Sequence, residues 1–391
     1  MSIFDVRHQD RAHRIIQRAL ASRRMPHAYL FAGPEGVGRE MLAVRLAHLL
    51  LCPAPVEVDW PTAMEKDAVT DVRPSTACGQ CADCRLLAAG THPDLAVIHR
   101  QLNSQHPDAL IRRQKALFLG VDVIRHFLID RIGTRPARGR AKVFIIREAE
   151  RLNDAAQNAL LKSLEEPPPG TTLILITASL DQMLPTTRSR CQLVPFVALP
   201  APFVAEQASR LRSETAADEV RYAAHHADGS LGGALRYIDD SLFAMKREWG
   251  KQLAILARPP AGWSAHALAG PFQEDAGRLA KSFAQRDPDV SDTDARREGA
   301  RTLLAVLADF FRDALATASA CQAERVNADQ GDVIDALAGW GQPKLGDAIR
   351  QLAQAESWLD RNAHVELTLE TLFIRLARLA PRPQPGRARA L

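Results

Sequence analysis

Three short apolar runs in the first half of the chain have the character of buried strands. They are residues 28–32, 143–146 and 172–177, each bounded by polar or turn-forming residues. Runs of this length without an alternating polar face are typical of strands that are covered on both sides. They therefore predict the inner strands of a mostly parallel sheet.

Helical patterns lie between these runs. Apolar side chains recur three and four positions apart at Leu42, Leu46 and Leu49, and this spacing places them on one face of a helix. A second apolar stripe, within residues 156–164, ends before Pro167, and a proline at that position stops a helix. Strand, helix and strand in this order predict an α/β fold.

The pattern changes after Phe196, and almost all of the remaining chain has helical periodicity. Two prolines within residues 199–202 are typical of a linker, and glycines within 229–233 interrupt a small helical region. A larger helical region runs from about residue 243 to residue 379 and ends in a dense apolar run. Within it, the polar stretch 287–298 predicts a loop between two helices.

These changes of pattern predict three domains and a tail. An α/β domain spans residues 1–196, a small helical domain spans 197–240, and an all-α domain spans 241–380. Residues 381–391 are rich in proline and arginine, which predicts a flexible tail. The length of 391 residues is consistent with this division, since domains average roughly 150 residues.

The composition is that of a soluble globular protein. Hydrophobic residues make up 46% and charged residues 25% of the chain, and the formal net charge is only +4. So small a surplus, with 5% aromatic residues, does not by itself indicate a nucleic-acid-binding protein. The N-terminus lacks the apolar segment of a signal peptide, and the apolar stretch 41–52 is too short to span a bilayer. We therefore expect a cytoplasmic protein with no membrane partner and with reduced cysteines.

A glycine-rich loop follows the first predicted strand and precedes a predicted helix. Its glycines Gly33, Gly36 and Gly38 resemble those of a phosphate-binding loop, whose pattern is G-x-x-x-x-G-K-S/T. The two side chains that carry the chemistry are absent, however. Arg39 replaces the lysine that reaches the phosphates, and Glu40 replaces the hydroxyl that binds Mg²⁺.

The strand that carries the metal-organising carboxylates in such proteins is altered as well. Arg147 and Glu148 follow the strand at 143–146, where a working site has Asp-Glu. Two separate losses at the Mg²⁺ site argue against ATP hydrolysis and make ATP binding by this chain doubtful. The alternative is that the glycines form an ordinary turn between a strand and a helix.

Four cysteines lie in one segment of the predicted α/β domain. Cys78, Cys81 and Cys84 are three residues apart, and Cys52 lies upstream of them. Thiolates at such spacings can surround one ion, and a tetrahedral four-sulfur site is typical of structural Zn²⁺ with no open position for catalysis. Iron–sulfur ligation and four ordinary reduced cysteines are the alternatives.

Three further residues of metal-binding type are predicted to lie outside this cluster. His92 follows the cluster closely, but a complete set of four cysteines favours a place for it in a loop. Cys191 and Cys321 are far from the cluster in sequence, and we expect both to be small buried apolar side chains.

One continuous block of sequence carries a family resemblance. Its parts read KVFII, AERLN, NALLKSLEEPP and LPTTRSRC, and they occupy residues 142–146, 149–153, 158–168 and 184–191. With the glycine-rich loop, this block closely resembles the AAA+ subunits of the bacterial DNA polymerase III clamp loader. The resemblance is strong from about residue 4 to residue 196, weaker through 229–235, and limited near the C-terminus to 362–367.

The resemblance implies an α/β AAA+ domain of the phosphate-loop type with a small helical lid, followed by an all-α collar domain that packs into a ring of five subunits. The degenerate loop resembles that of the family's non-hydrolysing member, which is more rigid than the ATPase motor subunits. Such a member donates the arginine of its Ser-Arg-Cys motif, here Arg190, to the ATP site of a neighbour. The family also carries a zinc module in the place of residues 52–92, which favours zinc at the cysteines.

The partners implied by the resemblance are the gamma/tau motor subunits and the delta subunit, and through the assembled complex the sliding clamp and primed DNA. The implied role is in DNA replication, as a subunit of the DNA-directed DNA polymerase III holoenzyme without an independent active site. An arginine suits the finger role because its guanidinium stabilises charge on the transferring γ-phosphate. The alternative for Arg190 is an ion pair with a carboxylate of its own surface.

Two other functions remain open on the sequence. The chain could itself be an AAA+ ATPase motor in which Arg39 and Glu148 substitute for missing groups, although Glu40 and Arg147 leave Mg²⁺ poorly held. It could also be an independent zinc-containing nucleic-acid-binding protein, with the basic stretch 131–142 as its contact. ATP binding by the isolated chain distinguishes the motor from the other two.

Overall fold

The computed structural model describes residues 2–22, 24–58, 74–139, 141–322 and 324–381. The chain divides into two units. The first unit contains the residues up to Pro200 together with Gly229–Gly232, and the second contains Ala201–Asp228 together with the chain from Gly233 onward. The predicted flexible tail lies outside the described residues apart from Pro381.

The strands of the described residues belong to the first unit. They are β1 (Ala28–Ala32), β2 (Val56–Glu57), β3 (Ser75–Thr76), β4 (Leu95–Ile98), β5 (Lys142–Ile146), β6 (Thr171–Thr177) and β7 (Gln192–Pro195). Five of them form a parallel sheet in the order β4-β5-β6-β1-β7, and β2 pairs with β3 in a separate antiparallel ribbon. The three predicted strands are the central ones, and this prediction is confirmed.

Burial explains why the central strands are visible in the sequence. Every residue of β1, β5 and β6 is buried, so these strands need apolar side chains on both faces. The edge strands β4 and β7 are only four residues long and only partly buried. Strand β7 begins with Gln192 and ends with Pro195 and so lacks an apolar run, whereas Leu95–Ile98 of β4 is a continuous apolar run that the prediction does not include. In register, Leu30 of β1 pairs with Leu175 of β6, and Leu173 of β6 pairs with Phe144 of β5.

Eight helices of the described first unit surround or extend this sheet. They are α1 (Asp10–Ala21), α2 (Arg39–Leu51), α3 (Ala82–Ala88), α4 (Ala109–Arg112), α5 (Val121–Ile124), α6 (Asp130–Ile132), α7 (Asp154–Glu165) and α8 (Pro185–Arg188). A π-helical turn at Arg125–Ile129 joins α5 to α6. The two predicted helices are α2 and α7. The Asn153 side chain caps α7 by accepting from the N–H of Ala156 at 2.8 Å.

The second unit is entirely helical in its described residues, as predicted. Its helices are α9 (Ala201–Leu211), α10 (Ala217–His226), α11 (Leu231–Asp239, whose first turn lies in the first unit), α12 (Leu242–Ala257), α13 (His266–Arg286), α14 (Asp292–Ala318), α15 (Gly331–Ala338), α16 (Gln342–Asp360) and α17 (Val365–Leu379). Large buried side chains form its core, among them Trp249, Phe272, Phe310 and Phe373. No helix among the described residues is both long and apolar enough to cross a lipid bilayer.

The loop predicted at 287–298 is shorter than expected, and this prediction is wrong over its second half. Helix α14 already begins at Asp292. The Ser291 side chain caps it by accepting from the N–H of Asp294 at 3.0 Å, and the polar residues that follow form its exposed first turns. The separation of a small helical domain from the bundle near residue 240 stays a prediction, because α9 and α10 fall into the second unit together with the bundle.

Candidate functional site

The glycine-rich loop connects the end of β1 to the start of α2. Gly36 and Gly38 have φ angles of 70° and 100°, in the left-handed region that favours glycine. Gly38 is the N-terminal cap of α2, so the loop lies at the positive end of a helix of 13 residues. Phosphate-binding loops hold their anion at this position.

A covering segment, residues 229–232, lies directly on this loop. The N–H of Gly232 donates to the carbonyl of Gly36 over 3.4 Å. A Cβ atom added at Gly36 would lie 2.8 Å from the nitrogen of Gly232 and would also collide with Ser230 Oγ. The backbone of the loop is therefore already in contact with the chain's own residues on this side.

Arg39, in the position of the phosphate-binding lysine, is only 8% exposed. Burial lowers the pKa of its guanidinium, and the carboxylates of Glu150 and Glu35 oppose that effect. Its Nη1 atom has no hydrogen-bond partner among the described residues. The loop thus retains the positive charge of Arg39, and the carboxylates of Glu150 and Glu35 in the same unit already act on that charge.

The two substitutions at the expected Mg²⁺ site bind each other. Glu40 lies in the first turn of α2, Arg147 directly follows β5, and Nη2 of Arg147 donates to Oε1 of Glu40. In a working site, these two places provide the hydroxyl and the carboxylate that hold the metal ion. Here a guanidinium supplies the positive charge that the carboxylate binds.

Glu148, the next residue, is engaged within the chain as well. Its Oε2 accepts from Nε of Arg100 at 3.0 Å, and Nη1 of Arg100 donates to the carbonyl of Ala116 at 2.7 Å. Arg100 is 6% exposed, so a buried cation holds this carboxylate, whose own side chain is 38% exposed. Arg100 was not predicted as a site residue, and its signal in the sequence is a charge two positions after the end of β4.

Arg190 lies between α8 and the edge strand β7. Its Nε and Nη2 atoms lie 2.6 Å and 2.5 Å from Oε1 of Glu165, and its Nη1 donates to the carbonyl of Thr186 at 2.9 Å. The side chains of Arg190 and Glu165 are 33% and 47% exposed. In the chain alone, Arg190 therefore forms an ion pair with a carboxylate of its own surface. Such exposed pairs contribute roughly 0–1 kcal/mol, so a stronger anion can displace Glu165.

The four cysteines of the predicted metal site come together in the first unit. Their Sγ atoms all lie within 4.8 Å of one another. Cys52 caps the end of α2, β3 leads into Cys78, and Cys81 caps the start of α3, which contains Cys84. The N–H groups of the last three cysteines each donate to the sulfur of the preceding cysteine over 3.3–3.4 Å.

This sulfur cluster has the size that one zinc ion requires. With Zn–S bonds of about 2.3 Å, the sulfur atoms of a tetrahedral site lie about 3.8 Å apart, and the Sγ atoms of Cys78 and Cys84 are separated by 3.8 Å. An iron–sulfur cluster places several metal and sulfide atoms between its thiolates and needs them further apart. Backbone N–H groups of Gln80 and Cys81 lower the pKa of Cys78 to about 6, which favours its thiolate form.

The residues next to the cluster anchor the helix that carries it. Asp83 on α3 accepts from Nε of Arg138 at 2.6 Å, and Nε2 of His92 lies 3.3 Å from the same carboxylate. Nδ1 of His92 accepts from the N–H of Asp94 at 3.1 Å. His92 is therefore buried in a polar contact outside the sulfur cluster, where it fixes the end of the segment that leads to β4.

The remaining cysteines differ from each other. Cys191 packs against the core of the first unit, and burial raises its pKa to about 12. The prediction that Cys321 is buried is wrong, because this residue is exposed. It follows α14 and a turn at Ala320, whose φ is 51°, and so lies beyond the apolar face of the helix.

Comparison with known proteins bears on the first unit above all. Residues 8–200 match a protein-family model described as "DNA polymerase III, delta subunit". The chain is 39% identical over 165 residues to DNA polymerase III subunit delta' of Pseudomonas aeruginosa and 32% identical over 209 residues to that of Escherichia coli. It is also 32% identical over 242 residues to DNA polymerase III subunit tau of Escherichia coli, which is 61% of this chain and 32% of that protein.

The matched segments are partial. They cover 42% and 54% of this chain and only 41% and 53% of the two delta' proteins. Among solved structures, a DNA polymerase III gamma subunit-related protein of Thermotoga maritima aligns over 95% of this chain and 99% of its own, with 16% identity and a TM-score of 0.40.

Proposed function

We propose that this chain is a delta'-type member of the clamp-loader family of DNA polymerase III subunits, and that it supports ATP-dependent loading of the sliding clamp without hydrolysing ATP itself. Its sequence similarity to delta' and tau subunits supports this assignment. The observation that carries this proposal is the ion pair between Glu40 and Arg147. It joins the two elements, α2 and β5, that must together provide the metal ligands of an ATPase. A chain built in this way serves its complex as a stator and not as a motor.

Electrostatics at the loop oppose a metal–nucleotide complex. Mg²⁺ bridges the β- and γ-phosphates of ATP and neutralises the charge that develops there. The Glu40 carboxylate adds negative charge at that point, and the Arg147 guanidinium repels the metal ion. ATP bound in the usual way would require the ion pair to separate and the covering segment to leave Gly36. Each requirement lowers the affinity for ATP.

Buried polar contacts within the second unit support a rigid stator. His226 of α10 pairs with Asp309 of α14 at 2.8 Å. Lys246 of α12 is fully buried, pairs with Asp329, and lies 5.0 Å from the centre of the Tyr222 ring of α10. Removal of one partner from a buried pair costs about 3–5 kcal/mol. Helix α10, which the predicted division assigns to the lid, is thus held to the bundle.

We assign Arg190 the role of an arginine finger for a neighbouring motor subunit. A guanidinium supplied in trans accelerates phosphoryl transfer by about 10³–10⁵ in well-studied systems. Two features support the role: Arg190 lies just before the edge strand β7, and Glu165, its carboxylate partner among the described residues, is itself exposed. A γ-phosphate carries more negative charge than Glu165 and offers several acceptor oxygens, so Arg190 gains energy by exchanging one partner for the other.

Reconstitution with the gamma/tau and delta subunits tests the finger. We expect Arg190→Ala to abolish clamp loading and lower the DNA-stimulated ATPase rate, because the site that loses its finger slows by about 10³ or more. Two controls separate this from loss of surface charge: Glu165→Ala, which removes only the resting partner, and Arg210→Ala, which removes an exposed arginine of α9. Unchanged ATPase and clamp loading with Arg190→Ala refutes the finger role.

The isolated chain separates the stator from the motor. A stator shows no ATP hydrolysis and no Mg²⁺-dependent ATP binding in equilibrium dialysis, whereas a motor shows both. The triple change Arg39→Lys, Glu40→Thr and Arg147→Asp restores the ligand types of a working loop, and we expect it to increase Mg²⁺-dependent ATP binding. Hydrolysis of ATP by the unchanged chain contradicts the proposal.

We further propose that the cysteine cluster holds a structural zinc ion. Four thiolates leave no open position for a substrate, so the ion joins the end of α2 to α3 and takes no part in catalysis. Metal analysis of the purified protein is expected to give one zinc per chain, and less than about 0.5 equivalents with four titratable thiols contradicts it. In this proposal the subunit works in the cytoplasm and reaches the sliding clamp and primed DNA through the complex.

A further inference from the structure

A cavity at the open edge of the sheet has no part in the proposed function. Its volume is about 380 Å³, within the range of roughly 300–1,000 Å³ that is usual for ligand pockets. All residues of the edge strand β4 line it. Its other walls include Leu102, Phe127, Arg131, Thr134, Arg135 and Lys142.

The backbone of β4 has hydrogen-bonding groups that its neighbour does not use. The N–H groups of Val143 and Arg147 donate to the carbonyls of Asp94 and Ile98, across the pairing of β4 with β5. Because peptide groups alternate in direction along a strand, Val97 directs both its N–H and its C=O away from β5. Neither group of Val97 has a hydrogen-bond partner among the described residues.

The cavity combines an apolar floor with a basic rim. Leu102 and Phe127 are buried and form part of its lining. Arg131 and Arg135 are exposed at the rim, and the guanidinium of Arg131 lies over the Phe127 ring at 5.4 Å from its centre. A ligand at this edge therefore meets an apolar surface and two cations at the same time.

Two further charged residues line the cavity, and both are already satisfied within the chain. The Asp94 carboxylate accepts from the backbone N–H groups of residues 137–139. The Lys142 ammonium donates to two backbone carbonyls at 2.9 Å and 3.0 Å. Their opposite charges balance each other, so the charge presented to a ligand is that of Arg131 and Arg135.

We propose that this edge binds an extended acidic peptide of a partner protein, which adds to β4 as a further strand. The N–H and C=O of Val97 align its backbone, an apolar side chain enters the space beside Leu102 and Phe127, and a carboxylate pairs with Arg131 or Arg135. A nucleic-acid strand suits the two cations but cannot continue the sheet at Val97. The peptide uses all three features, and the proposal holds whether or not the chain is a stator.

A fluorescein-labelled hexapeptide of alternating valine and glutamate provides the probe, with the full chain as receptor. The controls are the corresponding valine–lysine peptide and a single-stranded oligo-dT. We expect saturable fluorescence anisotropy with the acidic peptide alone, and slower hydrogen exchange at the Val97 amide when it is bound. The double change Arg131→Gln and Arg135→Gln is expected to weaken binding at least about tenfold, and Arg210→Gln is expected to leave it unchanged.

Val97→Pro tests the strand addition itself. It removes the outward N–H without removing a bond to β5, since proline is tolerated on an edge strand at such a position. We expect it to abolish binding, whereas Val97→Ala, which keeps the N–H, retains it. If Val97→Pro does not fold, the arginine variants and hydrogen exchange at the Val97 amide of the unchanged chain still test the proposal. No saturation up to about 1 mM peptide, or oligo-dT binding that needs the two arginines but not Val97, overturns the proposal.

Discussion

Replacement of Gly36 by alanine tests whether the covering segment lies on the phosphate loop as described. Gly36 has a φ of 70°, where alanine costs about 1–2 kcal/mol. Its new Cβ would lie 2.8 Å from the nitrogen and 3.0 Å from the Cα of Gly232, and these backbone atoms cannot rotate away. The collision with Ser230 Oγ, by contrast, can be relieved by rotation of that side chain. The covering segment must therefore shift or the loop must deform.

Gly90 provides a matched control. Its φ is 69°, but a Cβ atom added there meets no atom within 4 Å. Gly36→Ala and Gly90→Ala thus share the same backbone strain and differ in the collision with the covering segment. Overpacking of this kind costs about 1–3 kcal/mol. We expect Gly36→Ala to lower the free energy of unfolding of the first unit by about 2–5 kcal/mol and Gly90→Ala by about 1–2 kcal/mol.

Hydrogen exchange followed by mass spectrometry is the suitable assay. Four of the five tryptophans, at 249, 263, 340 and 358, lie in the second unit, so fluorescence reports poorly on the loop. We expect amides of the covering segment to exchange about ten- to a hundredfold faster in Gly36→Ala, because each 1.4 kcal/mol of lost local stability is a factor of about ten. Equal destabilisation and equal exchange in the two variants would show that the described contact is absent.

Three further predictions concern the metal site, the sheet edge and the charge pair. Chelation of zinc should increase hydrogen exchange in α3 and the end of α2 while β5 and β6 stay protected, and exchange compared before and after chelation checks this. Burial raises the pKa of Asp94, but hydrogen bonds from the backbone N–H groups of residues 137–139 outweigh this effect and lower the pKa overall. The Asp94 carboxylate therefore stabilises the fold fully above pH about 4, the pKa of an unfolded aspartate, and this stabilisation is lost as the pH falls through the lower pKa of the folded state. Asp94→Asn should therefore cost about 1–3 kcal/mol at neutral pH and less in acid, measured by urea unfolding at both. A double-mutant cycle of Glu40→Ala and Arg147→Ala should give a coupling of roughly 0–1 kcal/mol, because both side chains are exposed.

The sequence predicts the inner part of the fold better than its edges. Residues 143–146 must be apolar because β5 has neighbouring strands on both sides and helices on both faces. The sequence therefore shows an uninterrupted run of apolar residues at these positions. Edge strand β7 is only partly buried, and Gln192–Pro195 carries no comparable pattern. Edge strand β4 is missed for a different reason: its run Leu95–Ile98 is apolar but only four residues long, and a helix or a loop can contain so short a run. The polar stretch 287–298 misleads for a related reason, since exposed first turns of a helix and a loop have the same composition.

The residues of the candidate site fall into two groups: those that are close together in the sequence and those that meet only in the folded chain. The spacing of Gly33, Gly36 and Gly38 and that of the cysteines are local, so the sequence alone brings them to attention. The bond between Glu148 and Arg100 joins positions 48 residues apart. It exists because β4 lies beside β5 and both strands end at the same side of the sheet, a fact that no single stretch of sequence contains.

The pairing of Glu40 with Arg147 shows what the distant contact adds to the interpretation. From the sequence, each substitution is a separate loss: a hydroxyl replaced by a carboxylate, and a carboxylate replaced by a cation. In the structure the two are complementary, because either charge alone would lie unpaired beside the helix terminus and the end of β5. Glu40 by itself would favour a cation there, and Arg147 by itself would favour an anion. Together the two charges balance each other without a ligand, so the loss of metal binding that we propose leaves neither charge unpaired at the loop.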